Sequence, residues 1–336
     1  MEFKSSSATY KVIEPISSRE FAQVYKCNSK NFSDLCALKV IPKSPFLDVN
    51  QVKKEIEIQS TIHHQYFPDF IETFEDAKYY IIATQFIHGN NLSNFLKFKE
   101  HKLPEDRARK VMKQILEAIN HLHNQGISHR NINLDNILID NSDNITIIDF
   151  GSASNSINEY SINPKTEYSC FDHPDVILKH PTLGTSDDIW SLGVLLYYLI
   201  TGKAPYNAVN HYDLVTVMNS GNVLKPSNMS NPCYNLLQKF LDRNTHYSVS
   251  LAQRHFWFSS GDKRTGNFKP MIGCTLFKMQ TNKGADKRKS FTDNISQANI
   301  NGTNSYTNYT SAKTSVFPNI PQRKSYFFVT PQATFS

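Results

Sequence analysis

Residues 128–139, S-H-R-N-I-N-L-D-N-I-L-I, crowd three side-chain amides and a carboxylate together as Asn131, Asn133, Asp135 and Asn136. A second carboxylate follows in I-T-I-I-D-F-G-S-A-S as Asp149. Carboxylate and amide oxygens are hard donors, so Asp149 and Asn136 together suit a small, hard dication. The Asn131 amide can give or take a hydrogen bond, but it accepts no proton at neutral pH and cannot act as a general base. The five cysteines (Cys27, Cys36, Cys170, Cys233 and Cys274) are scattered, with no C-x-x-C pair. That pattern suits reduced thiols better than a disulfide framework or a zinc site.

These residues need elements to position them. Residues 10–86 read as strand-rich with one helix. Y-K-V-I-E-P-I, A-Q-V-Y-K-C and L-C-A-L-K-V-I-P alternate or run apolar in short bursts, and F-P-D-F-I-E-T-F-E-D and K-Y-Y-I-I-A-T-Q-F-I do the same. Between them, V-N-Q-V-K-K-E-I-E-I-Q-S-T-I-H-H spaces Val52, Ile56 and Ile62 at helical intervals. After residue 90 the pattern turns helical. Val111, Ile115, Leu116, Ile119 and Leu122 share one face of a helix that stops near Gly126. The stretch D-D-I-W-S-L-G-V-L-L-Y-Y-L-I-T-G-K is apolar nearly all round, which predicts a helix sunk in a large core.

The chain has 336 residues, 39% of them hydrophobic, enough for one large two-lobed domain. Its longest apolar stretch, residues 189–200, is too short and too interrupted to span a bilayer, and the first ten residues lack the apolar core of a secretory signal. The net charge of +6 is unevenly spread: residues 1–258 carry 25 basic and 27 acidic side chains, residues 259–336 carry 11 and 3. The basic excess belongs to the tail, which removes the main support for a nucleic-acid-binding role.

In their order, these motifs resemble the eukaryotic protein-kinase domain over residues 10–258. The nearest flavour is the serine/threonine group of calmodulin-dependent and AMP-activated kinases. The resemblance implies an α+β, bilobal fold with a small β-rich lobe (10–87), which carries one regulatory helix, and a larger helical lobe (88–258). It implies that Lys39 in C-A-L-K-V-I binds ATP phosphates and that Glu55 in V-K-K-E-I-E-I-Q holds that lysine. Val24, Ala37 and Leu138 would sandwich adenine, Thr84 would guard the back of the slot, and residues 85–87, from Gln85 to Ile87, would form the hinge. Asn136 and Asp149 would hold Mg2+, with Phe150 of the D-F-G packed beneath the helix. His129 and Arg130 would be structural, and Asp188 would brace the loop that carries them.

The departures from the family pattern cluster where the chemistry should occur. I-S-S-R-E-F-A-Q-V aligns with the glycine-rich phosphate loop, but Ser17, Arg19 and Ala22 replace its three glycines. Glycine lets backbone N–H groups approach phosphate closely, so this loop should be stiffer and stand further off. Asn131 replaces the aspartate that receives the substrate hydroxyl's proton, Asn133 replaces a lysine, and Tyr168 stands where a threonine joins the two. Asp175 replaces the glutamate of A-P-E, with Arg243 and Arg254 as candidate partners.

The resulting expectation is a pseudokinase, a signalling scaffold or allosteric regulator that keeps a magnesium–ATP site and transfers phosphate weakly or not at all. Two alternatives stay open: a slow serine/threonine kinase, and an interaction module without nucleotide. Partners would be proteins, as docking partners or as substrate, and the expected location is the cytoplasm or the nucleus. Ser154, Ser156, Tyr160, Ser161 and Thr166 are candidate phosphate acceptors near Arg130. Residues 259–336 form a basic Asn/Ser/Thr-rich tail, expected to be disordered from about residue 280. It repeats Arg-Lys-Ser-aromatic at Ser290 and Ser325, two further candidate phosphorylation sites.

Overall fold

The computed structural model describes residues 1–260 apart from 20–21, 30–34, 99–100, 156, 159, 163–164, 166, 222 and 245–246. The tail, with Ser290 and Ser325, lies outside the described residues, as do Ser156, Thr166 and the side chain of Arg19.

Strands β1 (Glu2–Lys4), β2 (Thr9–Arg19), β3 (Ala22–Ser29) and β4 (Leu35–Pro42) precede helix α1 (Val49–Thr61), and β5 (Phe70–Glu75) and β6 (Tyr79–Gln85) follow it. They make one antiparallel sheet in the order β1-β2-β3-β4-β6-β5. Side chains alternate across a strand, so the sheet has two apolar faces. One gathers Cys27, Cys36, Leu38, Val40, Ile81 and Ala83 with Phe3, Ala8 and Tyr10. The other sets Ile41 and Ile82 against Val52 of α1. Asp48 caps α1, its carboxylate accepting from the backbone N–H groups of Asn50 and Gln51.

The sheet begins ahead of residue 10, where the sequence pattern placed the start of the domain. β1 pairs with β2, and the turn between them crosses to the far edge. The hydroxyls of Ser5, Ser7 and Tyr10 each donate to the Glu72 carboxylate on β5 at 2.7 Å. The sheet is thereby curled until its two edges meet.

The second lobe runs through β7 (Asn90–Asn91), α2 (Leu92–Phe98), α3 (Glu105–Asn124), a single 3₁₀ turn (Leu134–Asn136), β8 (Ile137–Ile139) and β9 (Ile145–Ile147). It continues with β10 (Tyr160–Ser161), α4 (Pro174–Ile177), β11 (Thr182–Leu183), α5 (Gly184–Thr201), α6 (His211–Asn219), α7 (Asn231–Phe240) and α8 (Val249–Gln253). The expected stripe on α3 is buried from Ala108 to Leu122. Helix α5 is buried on every side over most of its length, as its apolar sequence predicts. Gly202 ends it in the left-handed region at φ 73°, a conformation open to glycine at little steric cost. Among the described residues no helix is long and apolar enough to cross a membrane.

The lobes meet where the segment after α1 reaches β9. The Ile147 N–H donates to the Tyr66 carbonyl at 2.8 Å, and the Phe67 ring lies 5.5 Å from that of Phe150. This contact sets the distance between α1 and the loop that carries Asp149.

Candidate active site

Lys39 projects from β4, and its ammonium bridges two carboxylates: Glu55 on α1 at 2.5 Å and Asp149 at 2.8 Å. The three side chains are 20%, 4% and 13% exposed. Burial alone would depress the Lys39 pKa, but Asp149 and Glu55 together hold it above the ordinary lysine range. Lys39 and Glu55 meet across the gap between strand and helix. Asp149 sits at φ 70°, in the sparsely populated left-handed region, and takes a hydrogen bond at 3.3 Å from the Gly151 N–H. A Cβ at Gly151 would lie 3.2 Å from the Asp149 Oδ1 and 3.4 Å from the Lys39 Nζ, so glycine lets the turn close over the charges. Phe150 is buried, its ring 5.5 Å from that of Phe67 and 5.4 Å from that of His129.

The catalytic-loop amides bond chiefly within their own loop. Asn133 Nδ2 donates to the carbonyl and to the side-chain Oδ1 of Asn131, both at 3.2 Å. The Asn133 Oδ1 caps the 3₁₀ turn by accepting from the N–H groups of Asp135 and Asn136. Asn136 Nδ2 donates to the Asn131 carbonyl at 2.9 Å. Asn136 is tied to the D-F-G strand as well, since its carbonyl accepts from the Ile148 N–H at 2.9 Å. Residues 131–136 of the loop are thus cross-linked to one another through amides and backbone groups.

Beneath it, Asp188 of α5 accepts from the backbone N–H groups of His129 at 2.9 Å and Arg130 at 2.7 Å, and pairs with His123 at 2.9 Å. Full burial works against its ionisation, but the bonds from His123 and the His129 backbone prevail and hold its pKa below the carboxylate norm. Burial keeps the His129 imidazole pKa low. Arg130, at φ 60°, donates to Asp187 at 3.0 Å and to the hydroxyl and carbonyl of Ser161 at 2.9 and 3.1 Å. It links the loop to the segment between β9 and α4 through Ser161. Asp187, its partner, was missed in the sequence, although it adjoins Asp188 at the head of the apolar helix.

Strand register brings together the sheet residues expected to line an adenine slot. Val24 lies opposite Lys39, and Ala37 opposite Thr84, so all four share the face of the sheet that looks toward α1. The Gln85 N–H donates to the Asp69 carbonyl, the Phe86 N–H to the Leu35 carbonyl, and Ile87 is half-buried beyond them. Leu138 sits on β8, paired with Asn91. Where the family has an open glycine loop, the β2–β3 ladder runs on through Ser17↔Val24, Ser18↔Gln23 and Arg19↔Ala22. Ala22 is buried among Ile41, Val52 and Ile82.

Between β10 and α4, Tyr168 turns its ring to His211 of α6, edge-on at 5.6 Å. Lys165 pairs with the buried Asp172, which also accepts from the Ser169 N–H. Asp175 takes its partner from Arg243 rather than Arg254: two guanidinium nitrogens reach it, Nε at 3.2 Å. Burial opposes that carboxylate's ionisation, but Arg243 and His180 hold its pKa low. The ion pair expected at A-P-E therefore survives with a shorter acid.

Residues 10–258 match the family model described as the protein kinase domain. The chain is 29% identical over 256 residues to sperm motility kinase 2B of Mus musculus, across 76% of this chain and 52% of that one. It is 28% identical to CBL-interacting protein kinase 5 of Oryza sativa subsp. japonica, across 72% and 54%. It is 30% identical to NUAK family SNF1-like kinase 2 of Rattus norvegicus, across 75% and 40%. The chain thus spans about half the length of the relatives it matches.

Proposed function

Because the chain belongs to the protein kinase family, we propose that it is a pseudokinase of the serine/threonine branch: it binds Mg·ATP and acts by docking to protein partners. The observation that carries this reading is the contrast inside one site. The binding half is assembled, with Lys39 joined to Glu55 and Asp149. The transfer half is neutral, with Asn131 and Asn133 bonded to each other.

The donor set suits the nucleotide and its metal. Val24, Ala37 and Thr84 share one sheet face and Leu138 would close the slot from the other lobe, with the hinge running through Gln85 and Ile87. Lys39, already cationic and anchored by Glu55, would hold phosphate oxygens. Asp149 and Asn136 would offer the hard oxygens that Mg2+ takes. When bound, the nucleotide supplies a transferable phosphoryl group and the metal neutralises its charge. Asn131 would still orient a hydroxyl by hydrogen bonding, but it cannot receive the proton. Positioned acid–base groups contribute roughly 10²–10⁴-fold, so the loss of this one removes at least that factor from transfer.

The intact Lys39–Glu55–Asp149 triad also favours a second reading, a slow serine/threonine kinase. Transfer of γ-labelled phosphate by the full chain, beside Asp149→Asn as a blank, separates the two. The pseudokinase reading expects labelling at the blank together with a Mg·ATP-induced thermal shift. Labelling clearly above the blank makes the chain a slow enzyme. No thermal shift, with or without magnesium, would remove the nucleotide from both readings. Regulation would run through the segment from Gly151 to Asp172, where Ser161 already touches Arg130.

A further inference from the structure

Gln51 is the third residue of α1, the position from which a glutamine ordinarily folds back to the backbone N–H of the residue that caps its helix. Here it does something else. Asp48 already holds the Gln51 backbone N–H at 3.2 Å, and the Gln51 amide reaches out of the helix instead. Its Nε2 donates to the Gly151 carbonyl at 2.9 Å and to the Ala153 carbonyl at 3.3 Å. One amide nitrogen thus grips the second and the last residue of the turn that follows Asp149, a turn closed by the Ala153 N–H on the Phe150 carbonyl at 2.9 Å.

The placement matters because of what lies one helical turn away. Glu55, four residues on and therefore on the same face of α1, holds Lys39. Gly151, whose carbonyl Gln51 holds, packs against the Lys39–Glu55–Asp149 cluster: a Cβ there would crowd Asp149 Oδ1 at 3.2 Å and touch Lys39 Nζ and Glu55 Oε2 at 3.4 and 3.5 Å. Helix α1 is tied to the site twice: by an ionic link through Glu55 and by a neutral one through Gln51.

We infer that Gln51 is a positioning residue for the nucleotide site, a neutral clamp that keeps α1 docked on the Asp149 turn when Lys39 and Asp149 exchange each other for phosphate and metal. This rests on the reading of a retained Mg·ATP site. The ionic link is shared, since Lys39 divides its ammonium between Glu55 and Asp149. Any ligand that draws Lys39 or Asp149 away redistributes those charges. The amide bonds are untouched by that exchange, because neither of their acceptors carries a charge. They need no phosphate and no proton, so the clamp is set in the unmodified chain.

The test uses the full chain and three variants: Gln51→Ala, Gln51→Glu and Gln51→Arg. The glutamate variant is nearly isosteric but, ionised, offers no N–H, whereas an arginine restores donors to both carbonyls. Two readouts are taken. One is amide hydrogen exchange without nucleotide in α1 and residues 150–154, with α5 as internal reference. The other is the dissociation constant for Mg·ATP. The clamp predicts about tenfold faster exchange in both segments and about tenfold weaker Mg·ATP binding for the alanine and glutamate variants. It predicts recovery toward the parent in the arginine variant and unchanged α5 throughout. Parental exchange in the alanine variant, or a glutamate variant that behaves like the parent, would overturn it. Faster exchange in a chain whose parent binds no Mg·ATP upholds the clamp and brings down the nucleotide reading instead.

Discussion

An amide in place of a carboxylate keeps the shape of the side chain and discards its basicity. At Asn131 that single change is joined by a second, because Asn133 removes a positive charge where the family pattern has a lysine. The two losses cancel in charge, and the Asn133 amide donates to the Asn131 side-chain oxygen. Restoring one alone would therefore put an unmatched ion into a half-buried, amide-lined loop. Asn131→Asp by itself is expected to yield little phosphate transfer. Asn131→Asp with Asn133→Lys is expected to exceed it by about tenfold or more in γ-phosphate labelling. Equal labelling by the single and double repairs would show that the lysine position carries no weight. A structural residue makes the complementary case. Asp188 is fully buried and holds two backbone N–H groups and His123, so Asp188→Ala strands three donors. It should lower the unfolding free energy by about 3–5 kcal/mol in urea titration. That the Asp188 pKa is lowered on folding adds a sign: its contribution is present at neutral pH and is lost as pH falls through the carboxylate range.

At the scale of elements, the β1–β2 turn is the feature that periodicity does not reveal. A three-residue strand carries almost no pattern, and its partner across the sheet, Glu72, lies more than sixty residues away. The energetic logic is local all the same. Three hydroxyls converge on one carboxylate, and although burial opposes ionisation, these bonds hold the Glu72 pKa below its ordinary value. Glu72→Gln should therefore destabilise the chain by about 1–2 kcal/mol at pH 7, the site being only partly buried. The gap between parent and variant should close as pH falls below the ordinary glutamate range, where the parent carboxylate also takes up its proton. Urea midpoints measured across pH 3–8 would read both effects. A gap that persists at low pH would mean that packing of Phe3 and Ala8, and not the carboxylate, holds the strand.

The molecule as a whole is stitched at Glu105, the first residue of α3. Its carboxylate takes the Ser230 N–H at 2.8 Å, the Ser230 hydroxyl at 2.6 Å and the Trp257 indole N–H at 2.7 Å, with Arg109 stacked over that indole at 5.2 Å. Segments 125 and 152 residues further along the chain meet at this one anion. Burial disfavours that anion, but the Ser230 bonds, aided by Trp257 and Arg109, hold its pKa down. Glu105→Ala should cost about 2–4 kcal/mol. In hydrogen exchange the loss should appear first in α7 and around Trp257, while β2 to β6 keep their protection. Uniform loss across both lobes would mean that the two unfold as one unit.

The sequence alone determined which atoms are available for chemistry: Asp149 and Asn136 as oxygen donors, Lys39 as cation, and Asn131 as a group that cannot be a base. It also determined the order of elements, because the repeats of two and 3.6 residues are local and each needs only a short stretch to be read. The tertiary structure decided the pairings: Lys39 with both Glu55 and Asp149, Asp175 with Arg243 rather than Arg254, Arg130 with Asp187, and Gln51 with the carbonyls of Gly151 and Ala153. Most of these contacts join residues from 57 to 110 positions apart, and the shortest, Lys39 with Glu55, crosses from a strand to a helix. No periodicity reports on such a pair. Which side chain meets which is fixed only when the sheet curls, α1 docks and α5 is buried, because those steps bring together surfaces that the chain order keeps apart.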